Sequence, residues 1–215
     1  PWAARTAVRR NIKYGADLIK TCSTGGVLSK GTKVGAPQYT VEELTALVDE
    51  AHSRGLKVAS HAHGTQGIIN ALHAGADTIE HASFIDEEGI RLAIANNAAL
   101  SMDIYVTEYI LGEGAGAGIL EESLEKERMT GSTQRANFRK AVEAGATIVY
   151  GTDAGVYPHG QNAKQFSRMV RFGMTPLQAI QSATVTAADV MGLGYEVGKI
   201  EAGYAADFVA VKGNP

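Results

Sequence analysis

The sequence predicts an α/β protein built on a parallel sheet. Apolar segments of strand length alternate with helical patterns, and strands separated by helices pair in parallel through right-handed crossovers. Gly-Ala joins a helix to a strand in three segments, YGADLIK, AGADTIEH and AGATIVYGTD, and RGLKVASHAH has the same layout without the Ala. The 25 glycines among 215 residues fit a fold with many tight turns between helices and strands.

The first half of the chain alternates regularly between the two kinds of element. A helix ends at Gly15, and the apolar segment 16–20 follows as a strand. After a Gly-rich loop, Thr40 begins the next helix with a T-x-x-E capping box. In that helix, apolar residues recur at helical spacing at Leu44, Leu47, Val48 and Ala51. The expected elements after Gly55 are strand LKVAS, helix 65–73, strand 77–80, helix 86–96 and strand 99–104.

The second half is less regular. Residues 105–130 are predicted to form a long connection, in which Glu121 to Arg128 is a solvated helix face. The expected elements after it are helix 132–144, strand 147–151 and helices at 160–172 and 175–191, the last begun by Thr175-Pro176. The five strands fit either an open doubly wound sheet or part of a barrel, because a complete eight-stranded barrel normally needs about 250 residues. No phosphate-binding glycine motif follows a strand, which weakens the open-sheet interpretation.

Composition and charge exclude several classes of protein. The chain is 45% hydrophobic and 20% charged, which is too apolar for a disordered protein. A formal net charge of −3 argues against a nucleic-acid partner. No apolar run reaches the ~18 residues of a membrane span. The N-terminus has no signal-peptide pattern, so we expect a cytoplasmic protein.

Residues that can bind a metal or move a proton follow the four αβ junctions. The strands there end in Lys20, His61, His81 and Asp153. Because the carboxyl ends of parallel strands share one face, we expect these side chains to lie together. His61 and His63 should point to the same side of their strand, where they share a metal or divide into one ligand and one substrate contact. Two imidazoles and a carboxylate suit Zn²⁺, whereas a free ammonium such as that of Lys20 does not.

These segments resemble the amidohydrolase superfamily of metal-dependent hydrolases, in particular its Xaa-Pro dipeptidase (prolidase-like) and carboxypeptidase branch. The segments that carry the resemblance are GADLIK, SHAHG, IEHAS, YGTDAGVYPHG, GMTPLQAIQSATVTAADVMGLG and LGYEVGKIEAGYAADFVAVKGNP. The resemblance implies a (β/α)8 TIM barrel, here incomplete with about strands 4–8 in residues 1–194. Residues 195–215 would return to a small β-sandwich domain. The family's H-x-H pair on its first strand has no counterpart upstream of Lys20, so we expect a fragment with an impaired second metal site.

The resemblance also implies roles for the site residues. The metal ligands would be Lys20 (as a carboxylated bridging lysine), His61, His81 and Asp153. Asp153 would also be the catalytic proton shuttle. The residues that contact substrate would be His63, Tyr105 and His159. One or two divalent ions, expected to be Zn²⁺, would activate a hydroxide that cleaves the amide bond of a dipeptide or an N-acyl amino acid.

Two other functions remain open at this point. A Schiff-base barrel enzyme would use Lys20 as its nucleophile, although three metal-binding residues in register argue against it. Alternatively, the chain is an inactive fragment or an assembly module that retains relic ligands, as the missing H-x-H pair suggests. Among partners we expect a small peptide but neither nucleic acid nor membrane. We also expect a homo-oligomer or association with the missing N-terminal half, because exposed strand edges tend to pair.

Overall fold

A computed structural model describes residues 1–213, which contain one parallel five-stranded sheet. The strands are β1 (Leu18–Cys22), β2 (Lys57–Ala62), β3 (Thr78–His81), β4 (Ala99–Ser101) and β5 (Ile148–Val149). Their order in the sheet is their order in the chain, and every neighbouring pair is parallel. A doubly wound sheet would reverse its strand order at a switch point, whereas a barrel adds each strand on the same side. The strand order therefore favours the barrel interpretation.

Nine helices surround this sheet in the part of the chain that the structure describes. They are α1 (Trp2–Lys13), α2 (Val41–His52), α3 (Thr65–His73), α4 (Glu87–Ala95), α5 (Val106–Gly112), α6 (Glu121–Glu143), α7 (Lys164–Arg171), α8 (Pro176–Ala183) and α9 (Val185–Met191). None of these helices combines the length and the apolar character needed to cross a bilayer.

Four of the five αβ junctions in the described residues use the same glycine helix ending. Gly15, Gly55, Gly75 and Gly145 have φ values of 87°, 73°, 90° and 77°, in the left-handed region that favours glycine. The residue after each glycine donates its amide to the carbonyl five positions earlier, which is the long bond of a Schellman motif. The repeated Gly-Ala pattern in the sequence is therefore a repeated helix C-cap that turns the chain into the next strand.

The core lies between the sheet and the helices. Val58, Ile79 and Leu100 on the three central strands are fully buried, and they belong to one cluster with Leu72 and Phe138 of the helices. The predicted apolar stripe of α2 is buried, and the capping box predicted at Thr40 is present. The Thr175-Pro176 helix start is also confirmed.

Several predicted boundaries are wrong. The strand expected at 99–104 ends at Ser101, because the backbone beyond it bonds a side chain instead: Gln165 pairs with Met102 O and Tyr105 N. The strand expected at 147–151 contains only Ile148–Val149. The helix expected at 175–191 is divided at Thr184, whose φ of −123° and ψ of −98° are not helical.

The largest difference is α6. The sequence predicts a helix over 132–144, but α6 begins at Glu121 and has 23 residues. The segment from Glu121 to Arg128 is not simply a solvated face, because Ser123, Leu124 and Glu127 are buried. The buried side of this helix is largely polar, so hydrophobic periodicity does not reveal it.

The C-terminal segment forms no strand within the described residues. Residues 205–211 lack regular structure, and Ile200, Phe208 and Val209 are exposed. Residues 214 and 215 lie outside the described part of the chain. The assignment of 195–215 to a small β-sandwich domain stays a prediction.

Candidate metal centre

Five of the predicted site residues converge at the carboxyl end of the sheet. They are Lys20, His61, His63, His81 and Asp153. In the strand register, Cys22 lies beside His61 and Ala62 beside His81, so neighbouring strands end at nearly the same level. This placement follows from parallel pairing.

Three of these residues form a histidine cluster. The ring centroids of His61 and His63 are 4.8 Å apart, and each lies 4.6 Å from the ring of His81. One nitrogen of each ring lies within 4.8 Å of the other two. The prediction that His61 and His63 point to the same side is therefore confirmed, and the cluster offers nitrogen ligands of the kind that Zn²⁺ prefers.

A second group of possible ligands shares His81 with this cluster. It contains Asp103 and Asp153, and its ligand atoms also lie within 4.8 Å of one another. The group borders a small cavity of about 110 Å³. The cavity is lined by Lys20, Glu80, His81, Ser101, Asp103, Gly151, Thr152 and Asp153. Lys20 thus faces the same space as the carboxylates.

Asp103 is a candidate that the sequence reasoning missed. It is only 4% exposed, and its Oδ1 accepts a hydrogen bond of 3.0 Å from His81 Nδ1. The sequence signal was its place two residues beyond β4, comparable to that of His63, which directly follows β2. The predicted strand was extended to residue 104, which placed Asp103 inside the strand and hid that signal.

The Asp103–His81 pair is electrostatically coupled. Burial raises the pKa of the Asp103 carboxyl group, but the charge and hydrogen bond of His81 outweigh this and lower the pKa to about 2. Burial lowers the pKa of His81, and the charge and hydrogen bond of Asp103 more than reverse that effect. An ionised carboxylate only accepts, so His81 donates a proton from Nδ1 to Asp103 and leaves Nε2 outside this bond.

The other two histidines favour the neutral form that binds metals. Burial lowers the pKa of His61 to about 4, helped by the charges of His81 and Lys20. Burial also lowers the pKa of His63 well below its usual value. Both rings therefore keep a free lone pair at neutral pH.

Asp153 differs from Asp103 in its surroundings. The residue is exposed, but partial burial of its carboxyl group, together with the negative charge of Asp103, raises its pKa. A carboxylate with a raised pKa accepts a proton more readily than an ordinary one. The pKa values of these two carboxyl groups in one site are thus shifted in opposite directions.

The backbone is strained at two of the candidate ligands. His81 and Asp153 have φ values of 68° and 49°, and Ala82 after His81 has 47°. Residues other than glycine adopt this left-handed region only where the surrounding structure holds them, and such strain concentrates at functional sites.

The loop between β1 and α2 covers the histidine cluster. Thr24 Oγ1 accepts a hydrogen bond of 2.9 Å from His63 N. A Cβ atom on Gly26 would lie 3.1 Å from the ring of His61, so this loop approaches the ring as closely as glycine allows. On its other side, His63 Nδ1 is hydrogen-bonded to Ser83 Oγ at 2.8 Å.

The two remaining predicted contacts lie outside both groups. Tyr105 does not end a strand but precedes α5, and it is 4% exposed. Its hydroxyl donates to Gln161 Oε1 at 3.1 Å, and its ring meets that of Tyr157 edge-on. His159 is exposed in the loop after β5. A substrate contact by Tyr105 or His159 stays a prediction.

Comparison with known families agrees with this geometry. The sequence profile of the amidohydrolase family matches residues 3–215. The chain belongs to the amidohydrolase family. Among curated amidohydrolase relatives, the ochratoxinase of Aspergillus niger is 36% identical over 213 residues, which are 98% of this chain and 44% of that protein.

Solved structures confirm the fold of this amidohydrolase chain. It is similar to a Xaa-Pro dipeptidase with methionine bound in its active site, with 42% identity, a TM-score of 0.95 and coverage of 100% of this chain and 53% of that one. A prolidase complexed with N-methylphosphonate-L-proline gives 30% identity, a TM-score of 0.91 and coverage of 98% and 52%. The chain spans about half the length of these relatives, as the incomplete barrel predicted from the sequence implies.

Proposed function

We propose that this chain is part of a metal-dependent hydrolase that cleaves the amide bond of a dipeptide or an N-acyl amino acid. The observation that carries the proposal is the convergence of two groups of possible metal ligands that share His81: one adds His61 and His63, and the other adds Asp103 and Asp153 at a small cavity. Similarity to a Xaa-Pro dipeptidase and to a prolidase bound to a phosphonate of proline supports the substrate class.

The residues present fit a divalent metal such as Zn²⁺. Imidazole nitrogens and carboxylate oxygens are its usual ligands, and the Asp103–His81 bond engages Nδ1 so that Nε2 of this ring is left for a metal. Lys20 fits only as a carboxylated lysine, which would add two oxygen ligands at the same cavity. A Zn²⁺ ion held there would polarise the substrate carbonyl and lower the pKa of water to about 7.

In this proposal the protein positions the substrate and moves the proton. Asp153 accepts a proton from the attacking water and delivers it to the leaving amine, for which its raised pKa is suited. His63, whose ring is stacked on that of His81, would contact the substrate. We also propose that the complete activity needs the parts of the relatives that this chain does not cover.

The test is the exchange of Asp153 for Asn in a protein that also contains the parts of the relatives missing here, assayed with Zn²⁺ on Xaa-Pro dipeptides and N-acyl amino acids. Loss of the proton acceptor should lower kcat by about 10²–10⁴-fold, the usual contribution of general acid–base catalysis. Glu125→Gln, which changes an exposed carboxylate on α6, is the matched control and should keep the wild-type rate. Wild-type turnover by Asp153→Asn would contradict the proposed role.

An inactive fragment or assembly module is the second candidate, because β1 and β5 each leave one edge unpaired in the described part of the chain. Zinc per chain, measured by elemental analysis of protein purified without chelator, separates the two functions. About one zinc per chain supports the hydrolase, and a metal-free chain supports the inactive fragment or assembly module. A Schiff-base lysine is disfavoured because Lys20 is exposed, without the desolvation that such a nucleophile needs.

A further inference from the structure

Helix α6 turns a row of polar side chains toward the interior. The buried polar residues on this helix are Ser123, Glu127, Thr130, Gln134 and Asn137, which recur every three or four positions. A helix at the surface of a domain usually buries an apolar stripe. Buried amides need hydrogen-bond partners, so the partners of this polar stripe indicate what the helix does.

Gln134 is hydrogen-bonded both to Asp103 and to the backbone carbonyl of His81. Its Nε2 donates to Asp103 Oδ1 at 3.0 Å and to His81 O at 3.1 Å. One amide group therefore holds the carboxylate that orients the His81 ring. It also holds the carbonyl of a residue whose φ of 68° needs outside support.

Asn137, about one turn further along α6, supports His63 in a similar way. Its Nδ2 donates to Ser83 O at 3.0 Å, and Ser83 Oγ is hydrogen-bonded to His63 Nδ1 at 2.8 Å. Ser83 is fully buried, so water does not replace these bonds. The two amides thus act on the rings of two histidines through one intermediate residue each: Gln134 through Asp103 on His81, and Asn137 through Ser83 on His63.

The neighbouring contacts strengthen the same arrangement. Arg135, between the two amides in sequence, donates to Ile104 O at 3.1 and 3.3 Å. From α7, Gln165 Nε2 donates to Met102 O at 2.8 Å. The backbone on both sides of Asp103 is therefore fixed by side chains from helices that carry no candidate ligand.

We propose that Gln134 and Asn137 are positioning residues of the metal centre: together they orient His81, Asp103 and His63 for binding a divalent cation. The inference rests on the proposed metal site and extends it to a helix that offers no ligand. Groups that orient a metal-bound histidine typically change metal affinity by about 10–100-fold when they are removed.

The experiment titrates Co²⁺ into the metal-free 215-residue chain and follows visible absorbance, which reports affinity and coordination geometry. The test variants are Gln134→Leu and Asn137→Leu, which remove each amide donor. Thr130→Val is the matched control, because Thr130 is also buried on α6 but bonds only Lys126 O of its own helix, at 2.7 Å. Circular dichroism establishes that each variant is folded.

We expect Gln134→Leu to weaken Co²⁺ binding by about 10–100-fold and to shift the absorbance bands. Asn137→Leu should weaken it less, because this amide reaches His63 through the backbone of Ser83. Thr130→Val should bind like the wild type. Wild-type affinity and spectrum in both leucine variants, or an equal loss in Thr130→Val, would overturn the proposal.

A second measurement separates this proposal from the proposed function. Nitrogen-15 NMR of the metal-free chain reports which nitrogen of each histidine carries the proton. In the wild type, His81 should be protonated at Nδ1, and Gln134→Leu should change this tautomer population. If the wild type binds no Co²⁺ but the tautomer shift appears, the metal function fails and the positioning role stands. An unchanged tautomer in Gln134→Leu counts against the positioning role.

Discussion

Glu127 carries a carboxyl group buried beside the candidate metal centre. Burial raises its pKa to about 7 from the ordinary 4.5, and the negative charge of Asp103 adds to this effect. The Thr107 hydroxyl and the charge of Arg135 act in the opposite direction without cancelling it. The folded protein therefore holds a proton on Glu127 over a pH range in which the unfolded chain has released it.

Because the folded protein binds the Glu127 proton more tightly than the unfolded chain does, the free energy of unfolding should depend on pH. This dependence gives a prediction for Glu127→Gln. Because the pKa is raised on folding, the wild type should lose stability as pH rises from 4.5 through about 7. The glutamine variant keeps a neutral group and avoids that loss. We expect it to be more stable than the wild type by roughly 1–3 kcal/mol above pH 7 and similar below pH 4.5.

Denaturant unfolding at several pH values measures this difference. The control is Glu125→Gln, which removes an exposed carboxylate from the same helix and should show no such pH dependence. A stability difference that stays constant from pH 4 to pH 8 would show that the proton is not bound as expected.

At the residue scale, the sequence predicts only part of the centre. His61, His81 and Asp153 are predictable because they lie near or shortly beyond the ends of apolar strands that follow a recognisable αβ turn. Asp103 depends on where β4 stops, and that point is set by Gln165, about 60 residues later in the chain. Tertiary hydrogen bonds of this kind leave no recognisable pattern in the sequence around Asp103.

The close contact between α5 and α6 requires glycine, which has no side chain, at position 131. A Cβ atom on Gly131 would lie 2.3 Å from Thr107 Cγ2 and 2.9 Å from Glu127 Oε1. Real Cβ atoms do not approach other atoms so closely, so α6 lies against α5 only with glycine at this position.

We therefore predict that Gly131→Ala destabilises the protein by about 1–3 kcal/mol, the usual effect of overpacking a buried contact. Gly112→Ala is the control, because a Cβ atom there meets no other atom within 4 Å. Thermal unfolding measures both changes. Thr107→Ser, which removes the clashing methyl group, should recover part of the loss, and equal melting temperatures for the two alanine variants would contradict the prediction.

Among the elements, those with apolar faces or glycine caps were predicted well. All five strands and the start of α2 agree with the sequence analysis within a few residues. The first half of α6 was not predicted as a buried helix, because most of its buried side chains are polar, namely those of Ser123, Glu127 and Thr130. Hydrophobic periodicity detects burial against apolar surfaces only.

The whole sheet is open at both ends. In the described part of the chain, β1 pairs with β2 alone and β5 with β4 alone. Leu18 on β1 is 46% exposed and borders a concavity of about 740 Å³ that is also lined by residues of the other four strands and of α9. An unpaired edge beside an apolar concavity favours association with another chain.

We predict that the chain self-associates, with a light-scattering mass that rises with protein concentration. Leu18→Lys should reduce this association, because it places a charge at the β1 edge. Leu177→Lys is the control, since Leu177 is 64% exposed on α8 and does not border the concavity. A monodisperse wild-type monomer at all concentrations, or equal effects of both lysines, would be inconsistent with association through the sheet.

The polar inner face of α6 also bears on the order of folding. Its amides bond partners 31, 53 and 54 positions away in the chain, and these partners exist only after the turns that follow β3 and β4 have formed. Collapse driven by apolar surface does not select the register of such a helix. We therefore expect the tertiary hydrogen bonds of α6 to form late, after the folding transition state. Changes at Gln134 would then accelerate unfolding and leave the folding rate nearly unchanged.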